Sequence, residues 1–305
     1  MTETHRAIYD PNHKFYSGAC FTGSVMLEFT TDSPFVTVTM TGRRRVSLKS
    51  VKLDIFVDGA LVAHATEEYE TGEGIDLVPF NPLTLTAKIP EGTHRVTVYL
   101  PYLNEGHIAA VELADGASVV PYKRAKKWIA FGDSITNGSQ SQYPSMTYVN
   151  QVARMLDAEA FNFGIGGEYF WDAKIIPGTY PDCDFVTVAY GANDYRIKDE
   201  AHFAHHMPAF FQKVAAEFPQ KPIFVILPIW RASEADGTVY ELGTMQQVRD
   251  RIAREAAKYP NMTVIDGKNF VPHYETFFGD KVLHPNTMGM SQYALNLYAA
   301  LKDRV

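Results

Sequence analysis

Residues 128–136 read Trp128-Ile129-Ala130-Phe131-Gly132-Asp133-Ser134-Ile135-Thr136. Four consecutive apolar residues closed by a glycine predict a short strand buried on both faces. Behind it Tyr148, Val149, Val152, Met155 and Leu156 recur at helical spacing. The alternation continues to the end of the chain, with strands predicted over residues 160–163, 185–190, 223–229 and 263–265. The helix faces between and after them are Phe203, Met207, Phe210, Phe211, Val214 and Phe218, then Met245, Val248, Ile252 and Ala256, and last Met290, Tyr293, Ala294, Leu297 and Leu301. Pro208 is expected to kink its helix, and Pro228 interrupts the fourth strand near its end. Strand–helix alternation of this kind builds a parallel sheet with helices on both faces, an α/β fold.

Residues 25–30, 35–41, 53–57, 61–64, 83–89, 95–100 and 107–113 follow another grammar. They are short runs rich in Val, Thr, Leu and Phe, punctuated by Gly and Pro. Asp58-Gly59 between two of them is a hairpin signal, because both turn residues need positive φ. Many short strands with close turns predict an all-β sandwich or jelly roll. The grammar changes after Pro121, which divides the chain into residues 1–122 and residues 126–305. The basic cluster Lys123, Arg124, Lys126 and Lys127 between them reads as a solvated linker.

The 305 residues are 46% hydrophobic and 21% charged, a globular composition that excludes disorder, collagen and coiled coil for the whole chain. A net charge of −7 argues against nucleic-acid and anionic-membrane partners. No apolar run is long enough to span a bilayer. Two cysteines, Cys20 and Cys183, make no disulfide framework, and the N-terminus shows no apolar signal core. A cytoplasmic location is the expectation, with a mature secreted chain reading the same way. Oligomeric state is left open.

In a parallel sheet, sites form beyond the C-terminal strand ends. Gly132-Asp133-Ser134 follows the first such strand, Gly164-Ile165-Gly166-Gly167 the second and Gly191-Ala192-Asn193-Asp194 the third, while His284-Pro285-Asn286 precedes the last helix. This set suits acyl transfer. A serine hydroxyl needs a neighbouring base to become a nucleophile, and His284 can take and return its proton. The N–H groups of Ser134 and Gly167 and the amide of Asn193 can donate to an oxyanion. No Gly-x-Ser-x-Gly elbow or phosphate-binding loop is present, and Tyr169 occupies the third glycine position of a dinucleotide fingerprint. No metal or cofactor is called for.

These blocks, in this order, resemble the SGNH (GDSL-type) hydrolase superfamily over about residues 126–305. The resemblance implies a flavodoxin-like three-layer fold and hydrolysis of esters, often acetyl or other short acyl esters. It implies Ser134 as nucleophile and oxyanion donor, Gly167 and Asn193 as the other donors, and His284 as base. A β-sandwich ahead of such a domain is similar to some two-domain carbohydrate esterases. The family places an aspartate three residues before the histidine, where Lys281 stands here; Asp280 stands four before. Either the loop carries an extra residue and Asp280 orients His284, or a backbone carbonyl near Lys281 does so in a Ser–His dyad.

The leading expectation is a serine esterase acting on short acyl esters, acetyl above all, including those of carbohydrates. An acyltransferase on the same site and a non-catalytic carbohydrate-binding protein are the alternatives. His202, His205 and His206 have a metal-compatible spacing but read as polar surface, with no carboxylate pattern to complete them. Asp133 reads as a brace for the serine loop and Asp194 as a helix cap. Tyr169, Trp171, Tyr195 and Trp230 suit either a pocket wall or the core.

Overall fold

Two short helices, α1 (Glu3–Arg6) and α2 (Lys14–Ala19), come first in the computed structural model, which describes residues 3–305. Nine strands follow: β1 (Met26–Thr31), β2 (Phe35–Arg45), β3 (Ser50–Val57), β4 (Ala60–Glu68), β5 (Leu77–Pro79), β6 (Leu83–Lys88), β7 (His94–Tyr99), β8 (Asn104–Glu112) and β9 (Val119–Pro121). Antiparallel pairing orders one sheet β4-β3-β7-β1-β9. In the other, β2 is central, with β8 on one side and β5 and β6 on the other. The β3–β4 hairpin turns at Asp58 and Gly59 with φ of 49° and 85°, as the dipeptide predicts. Alternating side chains of both sheets, among them Val36, Val38, Met40, Leu53, Ile55, Val96 and Val98, meet in one buried core. This is the expected β-sandwich. β5 and β9 have only three residues each and left no sequence signal.

The second half builds β10 (Lys126–Gly132), α3 (Ser134–Asn137), α4 (Tyr148–Leu156), β11 (Ala158–Gly164), β12 (Phe185–Ala189), α5 (Ala192–Ile197), α6 (Glu200–Glu217), β13 (Ile223–Ile226), α7 (Met245–Ala256), β14 (Met262–Ile265) and α8 (Thr287–Leu301). All five strands are parallel, in the order β11-β10-β12-β13-β14. That is the flavodoxin-like order, whose direction reverses beside β10. α4 and α8 bury Val149, Val152, Tyr293 and Leu297 against one sheet face. α6 and α7 bury Phe203, Phe210, Val214, Val248 and Ile252 against the other. α6 runs through Pro208 without a break, and β13 ends at Ile226, ahead of Pro228.

The junction between the halves is tied rather than solvated. Arg124 donates from Nε and Nη2 to the Glu28 carboxylate of β1 at 2.8 and 2.9 Å, and from Nη1 to the Ala153 carbonyl of α4 at 2.9 Å. Both side chains of the pair are buried. This corrects the solvated-linker reading at Arg124, where a bidentate partner and a helix-end carbonyl draw the guanidinium inward; Lys123 and Lys127 of the cluster are exposed. Farther along the contact, the Ser145 N–H donates to Asp54 of β3 at 2.8 Å, and the Tyr102 hydroxyl donates to the Ser141 carbonyl. The segment that follows Ser134 therefore rests on the sandwich. Among the described residues no helix is long and apolar enough to cross a membrane.

Candidate active site

The end of β10 delivers Ser134. Asp133 caps the one-turn helix α3, its Oδ1 accepting from Ile135 N–H at 2.9 Å, so Ser134 occupies the first helical position. A first-turn amide has no intrahelical acceptor and is free to face a ligand. Asp133 is fully buried, and that burial pushes its carboxyl up to about 6. It therefore braces the loop, as its position suggests.

Ser134 Oγ lies 2.7 Å from His284 Nε2, and His284 Nδ1 lies 2.6 Å from Asp280 Oδ2. With a proton on Nδ1 facing the carboxylate, Nε2 is left to accept the serine proton. The carboxylate that meets His284 is Asp280, four residues ahead of it. Between them Lys281 takes φ of +60°, a left-handed conformation uncommon outside glycine. Asp280 Oδ1 accepts from the N–H groups of Val282, Leu283 and His284 at 2.9, 2.9 and 3.0 Å. Partial burial opposes ionisation of Asp280, but the bonds from His284, Leu283 and Val282 outweigh it and hold the carboxyl below its ordinary range. The loop is further closed by Gly279 N–H donating to the His284 carbonyl at 2.8 Å. Asn286 caps α8 just beyond it, accepting from Met288 and Gly289 N–H.

The turn after β11 passes over the serine. Glu168 N–H donates to the Ile165 carbonyl at 3.1 Å, and Gly167, third of the four residues, has φ of +83°. That φ is the requirement of a type II turn, which explains the glycine. A Cβ on Gly166 would stand 3.9 Å from Ser134 Cβ, so the turn lies directly against the serine. Asn193 enters from α5 after the left-handed Gly191. Its Nδ2 donates to the Glu168 carbonyl at 2.8 Å and stands 3.4 Å from Asp133 Oδ2. One amide hydrogen thus anchors Asn193 to the turn, and the other has only a long contact.

Behind the turn is a group that sequence reading did not single out. The buried Glu168 carboxylate accepts from Tyr9 at 2.5 Å, from Tyr190 at 2.8 Å and from the Lys174 ammonium. Lys174 also donates to the Phe163 carbonyl and to the Tyr190 hydroxyl. Burial presses Lys174 toward neutrality while the Glu168 charge opposes that shift, and burial with the same charge raises the Tyr9 and Tyr190 hydroxyls far above their usual range. Tyr9 belongs to the segment between α1 and α2, so the N-terminus buttresses the turn. The only sequence signal was a Glu and a Lys six residues apart, flanking the aromatic run Tyr169-Phe170-Trp171.

Other candidates fall elsewhere. Asp194 caps nothing: Gly191 is the cap residue, and the buried Asp194 carboxylate accepts from Phe170 N–H at 3.2 and 3.3 Å, pushed up to about 7 by burial. His205 and His206 do meet a carboxylate, Asp172, that sequence spacing could not supply. His206 Nδ1 lies 2.7 Å from that carboxylate, and Lys213 pairs with its other oxygen at 2.7 Å, where its charge would oppose a cation. Trp230 stacks on His273, and Tyr195 is buried with its hydroxyl on the Thr238 carbonyl. Trp171 lies against Tyr9. Of the four aromatic candidates Tyr169 is the one that directly follows the Gly167 turn, packed on Phe15.

The whole architecture recurs in solved structures. A salicylyl-acyltransferase from a tetracycline biosynthetic pathway is 21% identical, with a TM-score of 0.80 over 99% of this chain and 89% of that one. A family two carbohydrate esterase from Clostridium thermocellum is 14% identical, with a TM-score of 0.65 over 93% of each chain. An acetyl xylan esterase from the rumen bacterium Butyrivibrio proteoclasticus is 14% identical, with a TM-score of 0.60 over 91% of this chain and 88% of that one. These likenesses establish a shared fold, sandwich included. No curated protein sequence matches the chain. The sequence model of the GDSL-like lipase/acylhydrolase family matches residues 130–291, more than half of the chain and the whole span from Ser134 to His284. The chain therefore belongs to the GDSL-like lipase/acylhydrolase family, whose chemistry is the hydrolysis or transfer of acyl esters.

Proposed function

We propose that the protein is a serine esterase that releases short acyl groups, acetate first among them, through an acyl-enzyme on Ser134. The observation that carries this reading is the unbroken chain Ser134 Oγ–His284 Nε2 at 2.7 Å and His284 Nδ1–Asp280 Oδ2 at 2.6 Å. His284 takes the serine proton as Oγ attacks the ester carbonyl, and Asp280 holds the imidazole in the tautomer that can accept it. The developing oxyanion is met by the N–H groups of Ser134 and Gly167 and by Nδ2 of Asn193. One such donor typically supplies about 2.7–4 kcal/mol. His284 then protonates the departing alkoxide, the acyl group stays on Ser134, and water activated by the same imidazole releases it.

Acetylated carbohydrate is the substrate class we favour, on the likeness in fold to the family two carbohydrate esterases and the acetyl xylan esterase. Transfer of the acyl group to an alcohol is the second reading, supported by the acyltransferase that spans nearly the whole chain. The same proposal makes residues 1–122 an accessory unit to a catalytic unit of residues 126–305. Hydrolysis of p-nitrophenyl acetate and butyrate by the native chain and by Ser134→Ala is the test. Turnover that falls about a thousandfold in the variant is expected. Equal rates in both would remove Ser134 from the mechanism. An acceptor alcohol added to the same assay separates transfer from hydrolysis by its products.

A further inference from the structure

The N-terminal segment reaches the front of the site as well as its back. α2 opens at Lys14. A Cβ placed on Gly167 would lie 2.9 Å from Lys14 Nζ and 3.6 Å from Phe15 Cε1. An ammonium and an aromatic edge therefore stand directly over the turn that carries the proposed oxyanion donor.

That ammonium has no acid to neutralise it. Lys14 Nζ lies 5.4 Å from the Phe15 ring, and among the described residues no carboxylate is within ion-pair distance of it. The acid nearest in sequence to the turn, Glu168, is buried behind it and already held by Tyr9, Tyr190 and Lys174. The neighbouring charges are also positive. Lys198 Nζ sits 3.3 Å from the centroid of Tyr169, which packs on Phe15, and the Arg45 guanidinium donates to the Lys14 carbonyl at 2.9 Å and to Ser17. Three cationic side chains thus stand around the N-terminal side of the Gly167 turn: Lys14 against the turn, Lys198 over Tyr169 and Arg45 on the Lys14 carbonyl. The backbone that presents it is fixed, by Arg45 on one side and by the Tyr9–Glu168 bond on the other.

We propose that Lys14 is a substrate-recognition residue that pairs with a carboxylate carried by the ester a few bonds from its scissile carbonyl, with Phe15 and Tyr169 flanking the group between them. The inference rests on the acyl-transfer reading of Ser134. Lys14 is solvent-exposed, which leaves its ammonium open to a substrate arriving from solution. The ammonium lies against the Gly167 turn beside the edge of Phe15, so a carboxylate that pairs with it there meets a charge with no competing acid.

Matched esters test it. The 4-nitrophenyl hemiester of adipate, compared with its methyl ester, puts the charge on the acyl side. 3-Carboxyphenyl acetate, compared with its methyl ester, puts it on the alcohol side. In one of these pairs the native enzyme is expected to favour the charged member in kcat/KM at low salt. Lys14→Met should cut that ratio by about fivefold or more and Lys14→Glu should invert it, and the preference should fade at about 0.5 M NaCl, where charges are screened over a few ångströms. A charged-to-neutral ratio that stays within twofold across native, Lys14→Met and Lys14→Glu for both pairs, with the neutral esters still hydrolysed, overturns the role of Lys14 alone. A native enzyme that hydrolyses no member of either pair, nor p-nitrophenyl acetate, overturns the acyl-transfer reading and this inference with it.

Discussion

Asp280→Asn changes the fewest atoms for the largest expected effect. In the native loop Oδ1 of Asp280 accepts three backbone amides while Oδ2 meets His284 Nδ1 at 2.6 Å. Asparagine keeps the first oxygen, so Val282, Leu283 and His284 retain their acceptor and the loop keeps its shape. It replaces Oδ2 with an amide that donates. Two donors cannot share a 2.6 Å contact, so the imidazole must shed its Nδ1 proton and carry it on Nε2. Nε2 then points a proton at Ser134 Oγ, and the nucleophile loses its base. The same exchange in a buried serine-protease triad lowers kcat by about 10⁴. Here the side chains of Asp280 and His284 are 29% and 26% exposed, so water partly screens the misplaced proton. The expected loss is therefore about 10³ in kcat, or about 4 kcal/mol, with KM nearly unchanged. Steady-state hydrolysis of p-nitrophenyl acetate reads it, and a thermal melt within a few degrees of the native one shows that the loop survives. A loss below tenfold in a folded variant would mean that Asp280 does not govern the protonation of His284.

Tyr9→Phe removes one hydrogen bond from a buried carboxylate. It should lower stability in urea by about 1.5–3 kcal/mol and lower kcat more than it changes KM, because Glu168 holds the turn proposed to bind the oxyanion; a variant with native kcat would confine Tyr9 to stability. Arg124→Met leaves the buried Glu28 carboxylate with only the Thr97 hydroxyl and a 3.9 Å contact to Arg95, and should cost about 3 kcal/mol in chemical denaturation, a loss under 1 kcal/mol arguing that the junction contributes little. Burial raises the Asp194 carboxyl from 3.8 to about 7, so the folded chain keeps a proton that the unfolded chain has released, and stability falls as pH rises through that interval and levels above it. Asp194→Asn preserves an acceptor for Phe170 N–H and removes this slope. The melting temperature of the variant relative to the native chain should climb from pH 4 to pH 7, and a constant difference would refute the assignment.

Much of this site was legible because β10, β11 and β12 each deliver one residue type at a fixed place. Ser134, Gly167 and Asn193 sit within a few positions of strand ends that apolar runs announce, and parallel topology brings those ends together. Asp280 was not decidable in the same way. Whether an aspartate three or four positions ahead can reach His284 Nδ1 depends on one dihedral, the +60° φ of Lys281, and lysine gives no warning of it. The basic cluster misled for a related reason. Charge runs are usually solvated, but Arg124 finds Glu28 almost a hundred residues earlier in the chain, a pairing no local window contains. Asp194 failed as a cap because the left-handed Gly191 already starts α5, which leaves the aspartate inside the first turn, aimed at the Phe170 N–H.

The contacts that escaped sequence reading share a direction. Tyr9, Lys14 and Phe15 come from the N-terminal segment, Asp54 and Tyr102 from the sandwich, and all of them touch loops that carry or flank Ser134, Gly167 and Asn193. A parallel sheet with its helices already buries both faces of its strands, so nothing in its own stability requires a second domain. What the front of the chain adds is further support for the long turns beyond the strand ends, beside the ties that Lys174, Tyr190 and Asn193 already make to Glu168. The front of the chain supplies that support at two places: Glu168 is tied from behind by Tyr9, and the segment through Ser145 is tied from below by Asp54. Preorganised donors stabilise an oxyanion because they need not reorganise as charge develops. Fixing the turns and presenting Lys14 over them are then one structural act, and a deletion of residues 1–20 should impair kcat on neutral esters as well as discrimination between charged and neutral ones.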